Sequence, residues 1–161
     1  FEVPHGGFDY PATFERCVRK LGRLADTARR AGYVLGLEIM PGAIVSGTDG
    51  YLRLTDALPD SEIGYNFDTG HAWAQKEPVE LLPLKLGGRI TGTHLCDNDG
   101  GVNDSLCPGR GTINWDRTIG AILASGYGGS WDIEIKCDPS EVEGEYRAAL
   151  EYVRGRVNTG P

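Results

Sequence analysis

The segment from Glu62 to Trp73 constrains the fold most strongly, because it joins a strand to two side chains capable of chemistry. It reads Glu-Ile-Gly-Tyr-Asn-Phe-Asp-Thr-Gly-His-Ala-Trp, and apolar residues alternate with small or polar ones as far as Asp68. That alternation predicts a β-strand with one buried face. His71 follows three residues after the carboxylate. Such a pair can contact a metal or a substrate, although Asp and His also close turns. Its meaning depends on how the other strands end.

Three further segments have the character of strands that carry one ionisable side chain. They are Tyr33–Met40 with Glu38, Arg89–Cys96 with His94, and Ser130–Lys136 with Glu134. Amphipathic helical segments lie between them, with apolar residues at three- and four-residue steps. Strands that alternate with helices form a parallel sheet with right-handed crossovers. We therefore predict a single α/β domain over residues 1–161, built from parallel strand–helix units with four strands.

The four ionisable residues are expected to meet at one edge of that sheet. All strands of a parallel sheet point the same way, and functional residues gather at their carboxyl ends. The residues two positions earlier share their faces and are mostly small or polar: Gly36, Asn66, Gly92 and Asp132. Three carboxylates and an imidazole suit Mn²⁺, Mg²⁺ or Co²⁺, with Zn²⁺ also compatible. The sequence thus predicts a divalent metal site formed by Glu38, Asp68, His94 and Glu134.

The overall charge argues against a nucleic-acid partner. Asp and Glu outnumber Lys and Arg by 23 to 16, a net charge of −7, whereas domains that bind duplex DNA are more often basic. The longest apolar runs are far shorter than a membrane span, so no membrane partner is expected. Four cysteines without a CxxC spacing favour reduced thiols and a cytoplasmic location. This composition leaves a small neutral or sugar-like substrate open.

Five motifs stand at the predicted strand ends and in the loop after the third strand. They are Gly-Leu-Glu38, Asn-Phe-Asp68-Thr-Gly-His71, Gly-Thr-His94-Leu-Cys-Asp-Asn-Asp, Pro108-Gly-Arg-Gly-Thr-Ile-Asn-Trp115 and Asp-Ile-Glu134. Together they resemble the xylose isomerase-like TIM-barrel superfamily, which includes sugar-phosphate isomerases and epimerases. The resemblance covers about residues 11–155. It implies that the four residues named above bind the metal and that His71 contacts a substrate oxygen. Arg110 stands where many relatives carry an acidic residue, which is expected to alter substrate contacts.

The resemblance is to the second half of such a barrel. Full TIM barrels have eight strands and about 250 residues, whereas four strands are predicted here. Half a barrel leaves two unpaired edges, the strand of Glu38 and the strand of Glu134, and unpaired edges are templates for association. We therefore predict that the chain forms a homodimer or pairs with a separate chain that completes the barrel.

A reaction follows from the resemblance. A divalent metal would bind the carbonyl and adjacent hydroxyl of a ketose or similar polyol and stabilise the enediolate formed when a neighbouring C–H loses its proton. Glu38 and Glu134 would act as the catalytic pair, one removing the proton and the other returning one. His71 and Lys136 would polarise the carbonyl, and Trp73 would line the pocket. Lys136 also suits a solvated strand end, and Trp73 also suits core packing. The sequence does not choose between isomerisation and epimerisation.

Two other functions compete with a sugar isomerase or epimerase. One is a zinc-dependent phosphodiesterase resembling the endonuclease IV branch of the superfamily. It would need more metal ligands than a chain with three histidines readily supplies. The other is a non-catalytic truncated barrel that binds a metal or a partner without turnover.

Overall fold

The computed structural model describes residues 8–159, and within that range it contains three parallel strands and six helices. In chain order these are α1 (Tyr10–Arg30), β1 (Leu35–Glu38), α2 (Gly47–Asp56), β2 (Ile63–Asp68), α3 (Thr69–Ala74), α4 (Leu82–Leu86), β3 (Ile90–His94), α5 (Trp115–Ala124) and α6 (Val142–Thr159). The predicted α/β fold of parallel strand–helix units, a partial TIM barrel, is confirmed.

The first helix has a clear start and stop. The side chain of Asp9 accepts a hydrogen bond from the N–H of Ala12 at 3.0 Å, and a proline occupies the first turn of α1. Phe14 and Cys17 lie on its buried face. Gly32 has a φ of +80°, which a residue with a side chain rarely adopts, and it redirects the chain from α1 toward β1.

The three strands form a sheet in the order β1-β2-β3, and their register sets the site. Glu38 is paired with Asn66, and Asp68 is paired with His94. Each strand therefore brings one ionisable residue to the same carboxyl edge of the sheet.

The two faces of the sheet differ in character. On one face, Tyr65 and Phe67 are buried, and the ring of Tyr65 lies 4.8 Å from that of Tyr51 in an edge-to-face contact. This core also takes in buried residues of the helices: Leu54, Leu82, Leu86, Ile119 and Ile122. The opposite face carries Gly36 and Asn66, which line an open cavity of about 600 Å³. The small and polar face is thus the concave side on which the site is built.

Residues 130–136, predicted as the fourth strand, do not form a regular strand. The segment makes a single parallel bridge, between Ile133 and Leu95, rather than a regular strand. The N–H of Lys136 then donates to the carbonyl oxygen of Ser105 at 2.8 Å, in the loop that follows β3. Because β3 ends one residue before the bridge, the segment has no regular strand beside it over most of its length. It nevertheless carries Glu134 to the carboxyl edge of the sheet.

Within residues 8–159, none of the helices is both long and apolar enough to cross a lipid bilayer. The cysteines at positions 17, 96, 107 and 137 are all free thiols. Burial raises the pKa of Cys96 to about 12, and the negative charge of the neighbouring Asp68 adds to the rise, so this thiol stays protonated at neutral pH. Cys96 therefore packs as a small apolar side chain and does not act as a nucleophile.

Candidate metal centre

Four ionisable side chains converge where the strands end. Glu38, Asp68, His94 and Glu134 each offer one ligand atom, and these four atoms all lie within 4.8 Å of one another. Oxygen ligands bind divalent cations at about 2.0–2.6 Å, so ligands on opposite sides of one ion lie about 4–5 Å apart. The spacing of the four residues therefore fits a single divalent cation.

The imidazole of His94 lies between two carboxylates. Its Nδ1 is 2.8 Å from Oε1 of Glu38 and 2.7 Å from Oε2 of Glu134, and the amide nitrogen of Asn66 is 3.1 Å from Nε2. Burial by itself lowers the pKa of His94. The hydrogen bond with Glu38 and the negative charges of Glu134, Glu38 and Asp68 outweigh that effect and raise the pKa above its ordinary value. The surrounding carboxylates therefore stabilise a positive charge at this position, and a bound cation can provide that charge.

Asp68 is the most deeply buried member of the cluster, at 4% exposure. Burial is the main cause that raises its pKa to about 6, and the negative charges of Glu38 and Glu134 add to the rise. The backbone N–H and the charge of His71 act in the opposite direction and lower the pKa. The N–H of His71 donates to Oδ1 of Asp68 at 2.6 Å. An ionised carboxylate held beside two others is costly unless a cation balances it. The donor set therefore fits a divalent metal in charge as well as in spacing.

His71 lies at the rim of this cluster. It belongs to α3, which begins immediately after Asp68, and its Nε2 is 3.8 Å from Oδ2 of Asp68 and 3.9 Å from Oε1 of Glu38. On the far side of the ring, Nδ1 is 3.1 Å from the amide nitrogen of Asn103. A substrate oxygen near the cluster can therefore reach the Nε2 edge of the ring.

The other three residues predicted to bind substrate have different surroundings. The guanidinium group of Arg110 lies 2.7 Å from Glu145 of α6. The indole N–H of Trp73 donates to Oγ1 of Thr112 at 2.9 Å, and its ring packs partly against the core. Lys136 is exposed, beyond Glu134 along the same segment. The contacts found for Arg110 and Trp73 do not join them to the cluster, and substrate binding by the three residues stays a prediction.

Asp97 organises the loop between β3 and α5. Its side chain is fully buried and accepts four hydrogen bonds. Oδ1 accepts from the N–H groups of Asn98 at 2.9 Å and Ile113 at 3.1 Å, and Oδ2 accepts from the N–H of Gly109 at 3.0 Å and the indole of Trp115 at 2.7 Å. Because these donors come from both ends of the loop, one carboxylate closes it. Sequence reasoning missed this role, since an aspartate in a polar loop carries no distinguishing pattern.

The glycines of the Pro-Gly-Arg-Gly motif are explained by close packing in this loop. Gly109 has a φ of +88°, and a Cβ there would lie 2.5 Å from the ring of Tyr152. A Cβ on Gly111 would lie 2.3 Å from the carbonyl oxygen of Asn98. Both positions therefore require glycine if the loop is to lie against α6 and the strand ends.

Two asparagines near the cluster were not predicted as site residues. The strand pattern could have identified Asn66 as a site residue, because it precedes Asp68 by two positions and shares its strand face. A Cβ on Gly92 would lie 2.7 Å from Oδ1 of Asn66, so this glycine makes room for the amide. No local sequence pattern could have identified Asn103, because it contacts His71 across a separation of 32 residues.

The fold and the site define a class: a partial parallel barrel with a carboxylate–histidine cluster at the carboxyl edge of its strands. The model of the xylose isomerase-like TIM barrel family matches residues 2–156. The chain belongs to this family, which confirms the resemblance seen in the sequence.

Sugar epimerases are among the proteins similar to this chain. An uncharacterized protein of Sinorhizobium fredii, y4fM, is 35% identical over 89 residues, which cover 55% of this chain and 28% of that protein. L-Ribulose-5-phosphate 3-epimerase UlaE of Salmonella paratyphi A is 26% identical over 133 residues, which cover 82% of this chain and 47% of that enzyme. D-Psicose 3-epimerase of Clostridium cellulolyticum H10, solved with D-tagatose, shares the fold, with a TM-score of 0.81 at 19% identity over 94% of this chain and 58% of that one. The chain thus spans about half or less of these curated relatives.

Proposed function

We propose that this chain carries the metal-binding part of a sugar 3-epimerase. Such an enzyme removes a proton from C3, the carbon next to the carbonyl of a ketose, and returns a proton to the opposite face. The observation that carries the proposal is the convergence of Glu38, Asp68, His94 and Glu134, with His71 at the rim. The names of two similar proteins, both 3-epimerases, favour epimerisation over a 1,2 isomerisation.

In this proposal the four converging residues hold a divalent cation, Mn²⁺, Mg²⁺ or Co²⁺. The bound cation would supply positive charge that stabilises the negative charge developing on the carbonyl oxygen of the substrate. Asp68 is the most deeply buried of the four and accepts a hydrogen bond from the N–H of His71. The ring of His94 has three polar partners, with both glutamates at Nδ1 and Asn66 at Nε2.

Glu38 and Glu134 are the proposed proton-transfer pair. Both side chains are partly open to solvent, at 31% and 55% exposure, so a substrate can reach them. They come from opposite ends of the strand array and approach the same nitrogen of His94. Two carboxylates on opposite faces of a substrate carbon allow one to remove a proton and the other to return one, which inverts the stereocentre.

The proposed substrate is a small sugar or polyol. We propose no nucleic-acid partner, because a protein with a net charge of −7 repels a polyanion. The cytoplasm is the proposed location, because the four cysteines are free thiols.

We also propose that the edges of the sheet pair with further strands, from a second copy of the chain or from another segment or chain. Within the described residues, β1 is paired on one side alone, with β2. Tyr33 and Val34, just before β1, are 73% and 43% exposed, and Tyr146 and Leu150 of α6 are 37% and 43% exposed. Exposed apolar side chains beside an open strand edge favour association.

Deuterium exchange tests the epimerase proposal. The protein, supplied with Mn²⁺ or Mg²⁺, is incubated in D₂O with D-psicose, D-tagatose or L-ribulose 5-phosphate, and NMR follows deuterium at C3. We expect incorporation with at least one ketose, and its loss in Glu38→Gln or Glu134→Gln. Glu143→Gln, on the exposed face of α6, is the matched control and should exchange as the wild type does.

Two results would contradict this scheme. Undiminished exchange in both glutamine variants would refute the proton-transfer roles. Absence of exchange at C3 from every ketose tested, with metal bound and with the assembly intact, would refute 3-epimerisation.

A further inference from the structure

The ring of His71 has one partner that sets its hydrogen position. Its Nδ1 lies 3.1 Å from Nδ2 of Asn103, in the loop after β3. Its Nε2 faces the cluster, 3.8 Å from Asp68 and 3.9 Å from Glu38. A neutral imidazole carries one hydrogen, so whichever nitrogen holds it decides whether the cluster side of the ring donates or accepts.

The orientation of the Asn103 amide follows from its other contacts. Its Oδ1 lies 3.1 Å from the backbone nitrogen of Ser105. A backbone N–H can only donate, so the side-chain atom that it meets must be the oxygen. Oδ1 also lies 3.5 Å from the amide nitrogen of Asn98, which is a donor as well. The NH₂ group of Asn103 therefore points at His71, and Nδ1 of His71 must accept.

The surroundings hold Asn103 in this position. The amide of Asn98 donates to the carbonyl oxygen of Gly70 at 2.9 Å, which ties the loop to α3 next to His71. A Cβ on Gly70 would lie 2.3 Å from Oδ1 of Asn103 and 2.5 Å from Sγ of Cys96. The absence of a side chain at position 70 is thus what lets the Asn103 amide come close.

We infer that Asn103 is a positioning residue that keeps His71 in its Nε2–H form, so that His71 donates a hydrogen bond to a substrate oxygen and does not act as a base. The substrate part of this inference rests on the proposed function, whereas the hydrogen position does not. In the proposed reaction, a donor at this point stabilises an oxygen that gains negative charge. Proton removal is then left to the glutamates.

Nitrogen-15 NMR of the substrate-free protein tests the inference. Long-range ¹H–¹⁵N correlation spectra, recorded at a pH at which the spectrum itself shows a neutral ring, report which ring nitrogen carries a hydrogen. The signals of His71 are identified by their loss in His71→Gln. We expect the hydrogen on Nε2 in the wild type, both without metal and with Mg²⁺. A hydrogen on Nδ1 would overturn the inference, and this reading needs no variant at position 103.

The same NMR measurement on Asn103→Asp tests whether Asn103 sets the hydrogen position of His71. A carboxylate at this position still accepts from Ser105 but can no longer donate to His71, so Nδ1 should gain a hydrogen. Asn114→Asp makes the same chemical change at the exposed N-cap of α5 and should leave His71 as in the wild type. A folded Asn103→Asp protein in which Nδ1 of His71 stays unprotonated would refute the positioning role.

Kinetics separate this inference from the proposed function. If the protein exchanges deuterium at C3, Asn103→Asp should lower kcat at least tenfold, while Asn114→Asp should leave kcat unchanged. An unchanged kcat despite an altered hydrogen position would refute donation to the substrate. Because the NMR reading uses no substrate, failure of the epimerase proposal would leave the hydrogen position of His71 intact.

Discussion

Asp68→Asn is expected to stabilise the metal-free protein at neutral pH. Asp68 is 4% exposed, and burial raises its pKa from 3.8 to about 6. At about 1.4 kcal/mol per pKa unit, keeping this carboxylate ionised lowers the free energy of unfolding by about 3 kcal/mol. Asparagine is neutral and nearly the same shape. Its side-chain oxygen can still accept the hydrogen bond from the N–H of His71, which caps α3.

This gain depends on pH in a defined direction. Because folding raises the pKa of Asp68, the folded protein binds the proton more tightly than the unfolded chain. The destabilisation is therefore complete above about pH 6 and disappears below the unfolded value of 3.8. The difference between Asp68→Asn and the wild type should fall from about 3 kcal/mol at about pH 7.5 to less than about 1 kcal/mol at about pH 4.

Urea unfolding with a chelator measures the effect at both pH values, and repeating it with Mn²⁺ measures the metal contribution. Mn²⁺ should stabilise the wild type more than Asp68→Asn, because the variant has lost a charged ligand. Asp104→Asn, an exposed residue of the loop after β3, is the matched control. A metal-free Asp68→Asn protein less stable than the wild type at about pH 7.5, or equal stabilisation of both by Mn²⁺, would refute the reasoning.

Three further predictions concern the loop and the sheet edges. Asp97→Asn should lower the free energy of unfolding by about 2–5 kcal/mol in urea, because an NH₂ group would face two buried N–H donors. Asp99→Asn, in an exposed part of the same loop, should change stability far less. Gly111→Ala should cost about 1–3 kcal/mol, because its Cβ would meet the carbonyl oxygen of Asn98 at 2.3 Å. No loss of stability on thermal unfolding would contradict this packing. Sedimentation at micromolar concentration should find an assembly larger than one chain, and a stable, folded monomer would contradict the proposed edge pairing.

The order of strands and helices could be predicted from the sequence because its signals are local. Alternation along β2 and the four-residue steps of α1 each repeat within a few residues. An asparagine directly before a helical segment is a local N-cap signal, and the side chain of Asn114 accepts from the N–H of Arg117 at 3.2 Å. The convergence of one ionisable residue per strand could be predicted too, since parallel strands end at a common edge.

Some boundaries were set by contacts that local patterns do not report. The sequence pattern predicts a helix over residues 49–58, whereas α2 runs over Gly47–Asp56. The sequence from Ser140 to Glu143 has the form of a capping box, which predicts a helix start at Ser140. The N–H and hydroxyl of Ser140 donate to Asp138 instead, and α6 begins at Val142. Asp138 thus takes the N–H of Ser140 that a capping box would offer to Glu143, and the Ser140 hydroxyl donates to Asp138 instead of accepting from the start of the helix.

The sequence by itself determined the parallel α/β order and the four ionisable residues that gather at the carboxyl edge of the sheet, because periodicity and chain direction suffice for both. The tertiary structure alone decided that residues 130–136 make a bridge instead of a strand, since that depends on where β3 ends. It also decided the closing of the loop by Asp97 and the contact between Asn103 and His71. Partners 18 and 32 residues apart have no periodic relation along the chain, and packing is what brings them together.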